Sequence, residues 1–85
     1  MFNNKNLAIT GGTGSFGKEF VEKIINNYKP KKLIIYSRDE LKQSEMMSKY
    51  QNKFKFMRFF IGDVRDQERL KFALREMDYV IQQLL

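Results

Sequence analysis

Apolar residues follow two alternating rhythms along this chain. Leu7-Ala8-Ile9, Leu33-Ile34-Ile35-Tyr36, Phe59-Phe60-Ile61 and Tyr79-Val80-Ile81 are short continuous runs. Runs of that kind mark strands of a parallel sheet covered on both faces. Between them apolar residues return every third or fourth position. Phe16, Phe20, Ile24 and then Val21, Ile25 form one stripe, with Lys18, Glu19, Glu22 and Lys23 on the other face, as in a helix lying on a sheet. The predicted strands are 5–10, 32–36 and 55–61, with a fourth opening at 79–81. The predicted helices are 15–27, a second ending near Tyr50, and a third over roughly 66–76.

Local signals set the boundaries. Pro30 ends the first helix, because it can neither donate nor let the preceding residue stay helical. Ser37 and Glu40 have capping-box spacing for the second helix, whose Leu41, Met46 or Met47, and Tyr50 are expected to face inward. Asp66 is the expected N-cap of the third, with Leu70, Ala73, Leu74 and Met77 on one face. Strand and helix alternate three times before a last strand. That order argues a parallel α/β fold with right-handed crossovers, β-α-β-α-β-α-β.

The first strand-to-helix turn carries the candidate chemistry. Thr10-Gly11-Gly12-Thr13-Gly14-Ser15-Phe16-Gly17 holds glycine at every third position. A strand turning sharply into a helix presents unpaired N–H groups and the positive end of the helix dipole, which suits a phosphate. Gly11 permits the turn, Gly14 lets a pyrophosphate approach the backbone, and Gly17 lets the helix pack closely. A glycine-rich turn without a ligand is the plain alternative. The strand before, the helix after and a second strand ending some way on meet the context that the dinucleotide fingerprint requires. The expected fold is therefore the first half of a Rossmann-type doubly wound parallel sheet, truncated at the fourth strand, with residues 1–85 a partial NAD(P)-binding domain.

Composition narrows the choices. The 85 residues make one domain at most, and the chain is expected to be the opening part of something larger. It has no cysteine, hence no disulfide or thiolate metal site, and no histidine, the usual acid–base residue near neutral pH. The start has no signal-peptide core and no apolar run is long enough to cross a bilayer, so a cytoplasmic protein without a membrane partner is expected. The net charge of +6 would suit a polyanion. Its lysines, among them Lys18, Lys23, Lys29, Lys31, Lys32, Lys42, Lys49, Lys53 and Lys55, are spread as solvated faces rather than a nucleic-acid stripe.

The second and third strands end on residues that bear on a cofactor. An acidic residue that binds the ribose 2′-hydroxyl is usual after the second strand of an NAD site. Here Ser37 and Arg38 stand there, and Lys42 follows one turn into the helix. A hydroxyl and a guanidinium suit a 2′-phosphate, which Arg grips with two donors, so NADP is favoured over NAD. Ser37 also suits a helix cap, Arg38 and Lys42 a solvated surface pair, and Asp39 is an alternative 2′-hydroxyl ligand. After the third strand, the Asp63 carboxylate can accept from adenine N6 with Val64 beside the ring, or can serve the next helix dipole.

The Thr10–Gly17 block resembles the Thr-Gly-x-x-Gly-x-x-Gly signature of the extended short-chain dehydrogenase/reductase superfamily. Together with Tyr36-Ser37-Arg38-Asp39-Glu40-Leu41-Lys42-Gln43 and Met57-Arg58-Phe59-Phe60-Ile61-Gly62-Asp63-Val64-Arg65-Asp66, it resembles the inverting UDP-N-acetylglucosamine 4,6-dehydratases of the CapD-like polysaccharide-biosynthesis group. That resemblance implies tightly held NADP and a lyase reaction. Hydride passes from C4 of the sugar to the cofactor, the 4-keto group acidifies C5–H, water leaves C6, and hydride returns at C6 with inversion at C5. It implies a product used for pseudaminic acid or related surface glycans, and homo-oligomers of the full-length protein. Carried onto this chain, Gly11, Thr13, Gly14, Ser15, Phe16 and Gly17 would cradle the pyrophosphate. Ser37, Arg38 and Lys42 would hold the 2′-phosphate, and Asp63 and Val64 the adenine.

The resemblance stops near Ile81. The family continues with a His-Ala-Ala-type turn, where this chain has Gln82-Gln83-Leu84-Leu85. The family's sugar-binding region and catalytic Thr/Asp/Lys and Lys residues have no counterpart, so no catalytic residue is assigned and a UDP-sugar is expected only for a full-length protein. Tyr28 and Lys32 match the Tyr-x-x-x-Lys spacing of the superfamily, but that pair works on one helix face and Pro30 stands between them. The rival readings are an NAD-dependent nucleotide-sugar epimerase or reductase of the same superfamily, and a truncated, non-catalytic nucleotide-binding module.

Overall fold

Four parallel strands form one sheet in the order β3-β2-β1-β4, in a computed structural model that describes residues 2–11, 14–50 and 55–82. Strand β1 (Asn6–Thr10) and strand β2 (Lys32–Ser37) are buried almost throughout. They are central strands, and their apolar runs fill both faces, as parallel sheets require. Strand β3 (Met57–Ile61) and strand β4 (Tyr79–Gln82) are the edges and are more exposed. This is the expected Rossmann-type half sheet.

Helix α1 (Ser15–Asn27) and helix α2 (Glu40–Tyr50) lie on one face. Val21 and Ile24 from α1, and Met46 and Tyr50 from α2, join Leu7, Ile9, Leu33, Ile35 and Met57 in one core cluster. The strand residues in that cluster alternate, since successive side chains point to opposite faces. Tyr36 therefore points to the other face, where Arg69 of helix α3 (Gln67–Leu74) comes close enough to meet a Cβ built on Gly62. The chain crosses from one side of the sheet to the other between α2 and α3, and β4 lands beside β1.

Several boundaries differ from the sequence expectation. β1 starts at Asn6, because Lys5 instead uses its carbonyl to take the N–H groups of Lys31 and Lys32 at 2.9 and 3.4 Å. β3 starts at Met57, where the register with Leu33 begins, and Lys55-Phe56 is a turn. α3 stops at Leu74, so Met77 is not on it. Arg75 closes the helix in an extended conformation and Glu76 turns left-handed at φ 66°. Phe16, at the solvent-facing start of α1, is 53% exposed and stands outside the apolar stripe. Leu41 at the start of α2 is 71% exposed. The inward position there belongs to Gln43, which falls on the same face as Met46 and Tyr50.

Candidate functional site

The three strands β1, β2 and β3 end at the same level. Thr10 is in register with Tyr36, Tyr36 with Phe60, and Ser37 with Ile61. The loops that follow them therefore open side by side along the carboxyl edge. The strand order reverses at β1, with β2 on one side and β4 on the other. In open α/β sheets ligands enter at such a reversal, outside the carboxyl ends of the strands.

Gly11 makes the first turn. Its φ is 71°, a left-handed conformation that costs little only for glycine. Its N–H is not free for a ligand: it donates to the Tyr36 carbonyl at 2.8 Å and so carries the β1–β2 ladder one step further. Its carbonyl accepts from Gly14 N–H at 3.2 Å. Gly14 is the N-cap of α1 and offers no side chain, and the first turn holds no acidic residue. Among the described residues the N–H groups of Ser15, Phe16 and Gly17 have no hydrogen-bond acceptor. These are the orphan donors at a helix start that an anion satisfies. Gly17 is buried in α1. Thr13, predicted for the same cradle, lies outside the described residues.

The second loop is built around Asp39. Ser37, buried at the end of β2, uses its Oγ to accept from Asp39 N–H at 3.1 Å. It is Asp39 that caps α2: its Oδ1 accepts from Lys42 N–H at 3.0 Å and its carbonyl from Gln43 N–H at 3.0 Å. The predicted Ser37 cap is corrected accordingly. The chain needs the extra turn at Arg38 before it becomes helical, and Asp39 then stands at the N-cap with three residues to Lys42. One oxygen of Asp39 is thereby committed to the helix start. Arg38 and Lys42 both remain exposed.

The third loop holds Asp63, and there Arg38 comes back into contact. Arg38 Nη1 lies 3.5 Å from Asp63 Oδ2. Arg65 binds the same carboxylate with both ends of its fork, Nη2 to Oδ2 at 2.8 Å and Nε to both oxygens at 3.2 Å, and its N–H donates to Oδ1 at 2.9 Å. The Arg65 guanidinium, helped by that backbone N–H and more weakly by Arg38, holds the Asp63 carboxyl well below the usual carboxylate range. Asp63 is thus an ionised acceptor whose remaining lone pairs are few. The N-terminus of α3 is served by Asp66, whose side chain accepts from Arg69 N–H at 3.2 Å. Val64 is exposed beside Asp63.

The loop bearing Asp63 is pinned from below. The buried Tyr36 hydroxyl donates to the Asp63 carbonyl at 2.9 Å, and burial, then the charge of Asp66, raises its pKa. Gly62 N–H donates to the Ser37 carbonyl at 3.0 Å, and Arg69 Nε donates to the Ile61 carbonyl. Gln43 and Arg65 were missing from the sequence-based site. Gln43 left a signal, a polar residue in step with Met46 and Tyr50. Arg65 left none, because a loop spacing of two residues has no fixed geometry.

No cluster of metal-ligating side chains occurs among the described residues. No described helix is long and apolar enough to cross a membrane. Tyr28 lies past the end of α1 and Lys32 opens β2, so the pair is not on one helix. The backbones of Lys5, Lys29, Lys31 and Lys32 meet at the amino edge through hydrogen bonds to Lys5 and Asn4, so these four lysines belong to the edge opposite the three loops.

Comparison with known proteins fits this geometry. The family described as polysaccharide biosynthesis protein matches residues 7–83. The chain is 62% identical over 81 residues to a UDP-N-acetylglucosamine 4,6-dehydratase (inverting) of Campylobacter jejuni, covering 95% of this chain and 24% of that protein. It is 41% identical over 83 residues to a UDP-glucose 4-epimerase of Rickettsia bellii, covering 94% of this chain and 24% of that one. The crystal structure of Pen from Bacillus thuringiensis superposes with a TM-score of 0.87 at 35% identity, over 93% of this chain and 25% of that chain. The chain therefore spans about a quarter of the length of the curated relatives it matches.

Proposed function

The chain belongs to the polysaccharide biosynthesis protein family, and from that premise we propose that residues 1–85 are the NADP-binding part of a nucleotide-sugar 4,6-dehydratase. The reading extends to UDP-N-acetylglucosamine as the sugar of the whole enzyme, inversion at C5, and a product destined for pseudaminic acid or a related surface glycan. The likeness to the Campylobacter dehydratase supports the reaction class. The observation that carries the cofactor is the meeting of three loops at the strand reversal. One leads into the first helix N–H groups, unpaired among the described residues, one carries Arg38 and Lys42, and one carries the ionised Asp63.

Those residues fit a phosphorylated adenine dinucleotide. The Ser15, Phe16 and Gly17 amides hold the pyrophosphate at the positive end of α1 together with Gly14, and Thr13 is assigned to the same cradle from the sequence. Gly11 contributes the turn rather than a donor. Ser37, Arg38 and Lys42 hold the 2′-phosphate, and the exposed Arg38 guanidinium is already restrained near Asp63. Asp63 and Val64 flank the adenine. When bound, the cofactor supplies a hydride acceptor and donor, while this stretch binds and orients it.

A titration of the chain with NADP and NAD, read by calorimetry or by thermal shift, tests the reading. NADP is expected to bind at least about tenfold tighter, the size of one charge-assisted contact, and Arg38→Ala is expected to abolish the difference by weakening NADP alone. Binding of neither nucleotide defeats the reading. Preference for NAD moves the chain toward the epimerases, to one of which it is also similar.

A further inference from the structure

We infer that Gln43 is a positioning residue that sets the spacing between the second and third loops, and so serves the adenosine half of the proposed cofactor specifically. The inference rests on the nucleotide reading above. Gln43 is 2% exposed. Its Nε2 donates to the Phe60 carbonyl at 2.7 Å and lies 3.4 and 3.5 Å from the carbonyls of Ser37 and Ile35. Surroundings made of carbonyl acceptors fix the amide with its NH2 group inward. The short contact is to β3 and the two longer ones are to β2, so a single side chain from α2 reaches both strand ends.

The place of that tie matters. The Ser37 carbonyl also accepts from Gly62 N–H at 3.0 Å, and Gly62 opens the loop that carries Asp63 and Val64. Ser37 itself leads into Arg38. Gln43 thus stands beneath the point where the two arms of the adenosine seat diverge. The first loop, with Gly14 and the α1 amides, follows β1; its tie to β2 is the Gly11 N–H to the Tyr36 carbonyl, and among the described residues Gln43 makes its hydrogen bonds to the Ile35, Ser37 and Phe60 carbonyls instead. Loss of the amide is expected to loosen the seat for adenosine and its 2′-phosphate while leaving the pyrophosphate cradle unchanged.

The full 85-residue chain is titrated with 2′,5′-ADP and, separately, with inorganic pyrophosphate. Gln43→Leu, which keeps the bulk and removes the donor, is expected to weaken 2′,5′-ADP about tenfold, the scale of one lost buried hydrogen bond, with pyrophosphate unchanged. A parallel loss of both ligands, or of neither, overturns the inference. Gln43→Glu provides a second reading. Protonated, it can still donate to Phe60; ionised, it faces carbonyl dipoles. Its 2′,5′-ADP affinity, relative to the wild-type chain at the same pH, is expected to fall between about pH 5 and pH 8, with the pyrophosphate ratio flat. A flat 2′,5′-ADP ratio overturns the inference even where Gln43→Leu does not fold. A wild-type chain that binds neither ligand removes the nucleotide reading itself, before any variant is made.

Discussion

A Cβ on Gly62 would lie 2.3 Å from the hydroxyl oxygen of Tyr36 and 2.6 Å from its Cζ. The ring is wholly buried and its hydroxyl is held by the Asp63 carbonyl, so it has no room to withdraw. Glycine at 62 is thus required by the side chain beneath it. Gly62→Ala is expected to cost about 1–3 kcal/mol, the range for overpacking a filled site, and to lower the melting temperature by several degrees. Tyr36→Phe alone removes one hydrogen bond, about 1 kcal/mol. In the double variant the oxygen clash is gone but the ring clash remains, so the two costs should be less than additive. Strict additivity in thermal melts would show that the two residues do not press on each other.

Gly11 is held by conformation instead. Its φ of 71° asks of any other residue about 1–2 kcal/mol, and its N–H continues the ladder to Tyr36. Gly11→Ala should therefore lower stability by about that amount and shift the peptide that leads to the α1 amides. Pyrophosphate and NADP affinities are expected to fall together, unlike the selective loss expected at Gln43. Retention of full pyrophosphate affinity in the folded variant would count against the cradle.

Asp63 makes the fold sensitive to acid. Its folded-state pKa is depressed by Arg65, so its pairing stabilises the protein above the ordinary aspartate pKa of about 4 and is lost as pH falls below it. The difference in melting temperature between the wild-type chain and Asp63→Asn should be largest above about pH 5 and shrink progressively as the pH is lowered below about 4. Glu22, lowered by its hydrogen bond to Lys49, titrates in the same direction in both proteins and cancels in the difference. A difference independent of pH would mean that the Arg65 fork does not hold in solution.

Much of this arrangement was legible in the sequence, and unevenly so. The central strands could be read because Leu33-Ile34-Ile35-Tyr36 is apolar on both faces, which only a covered parallel strand needs. The glycine spacing located the first turn, and the conformation of Gly11 accounts for it. α2 was harder. Its inward face includes Gln43, and its apolar Leu41 points to solvent, so periodicity alone misplaces the stripe. Ser37 and Asp39 are both good caps, and the choice between them was made by where the strand ends. The Asp63–Arg65 fork and the Tyr36–Gly62 contact depend on a loop backbone and on a packing distance, neither of which has a sequence period.

Glu76 gives the last test. It follows α3 at φ 66°, the left-handed position after a helix that glycine usually fills. The helix needs that turn so that Asp78 can reach β1, where its N–H donates to the Asn6 carbonyl at 2.8 Å and its carboxylate accepts from Asn6 N–H at 2.7 Å. The Asn6 side chain in turn donates to the Glu76 carbonyl at 3.0 Å, which holds the strained residue from its backbone and not from its side chain. Glu76→Gly should keep all three hydrogen bonds and relieve the strain. Glycine also has more freedom to lose on folding, so the net gain is expected to be about 0.5–1 kcal/mol, read as a melting temperature higher by a few degrees. Glu76→Asn should gain less, and Glu76→Val, branched at Cβ, should lose. A Gly variant no more stable than the wild type would mean that the left-handed turn is relaxed in solution, and with it the geometry that delivers β4 to the edge of β1.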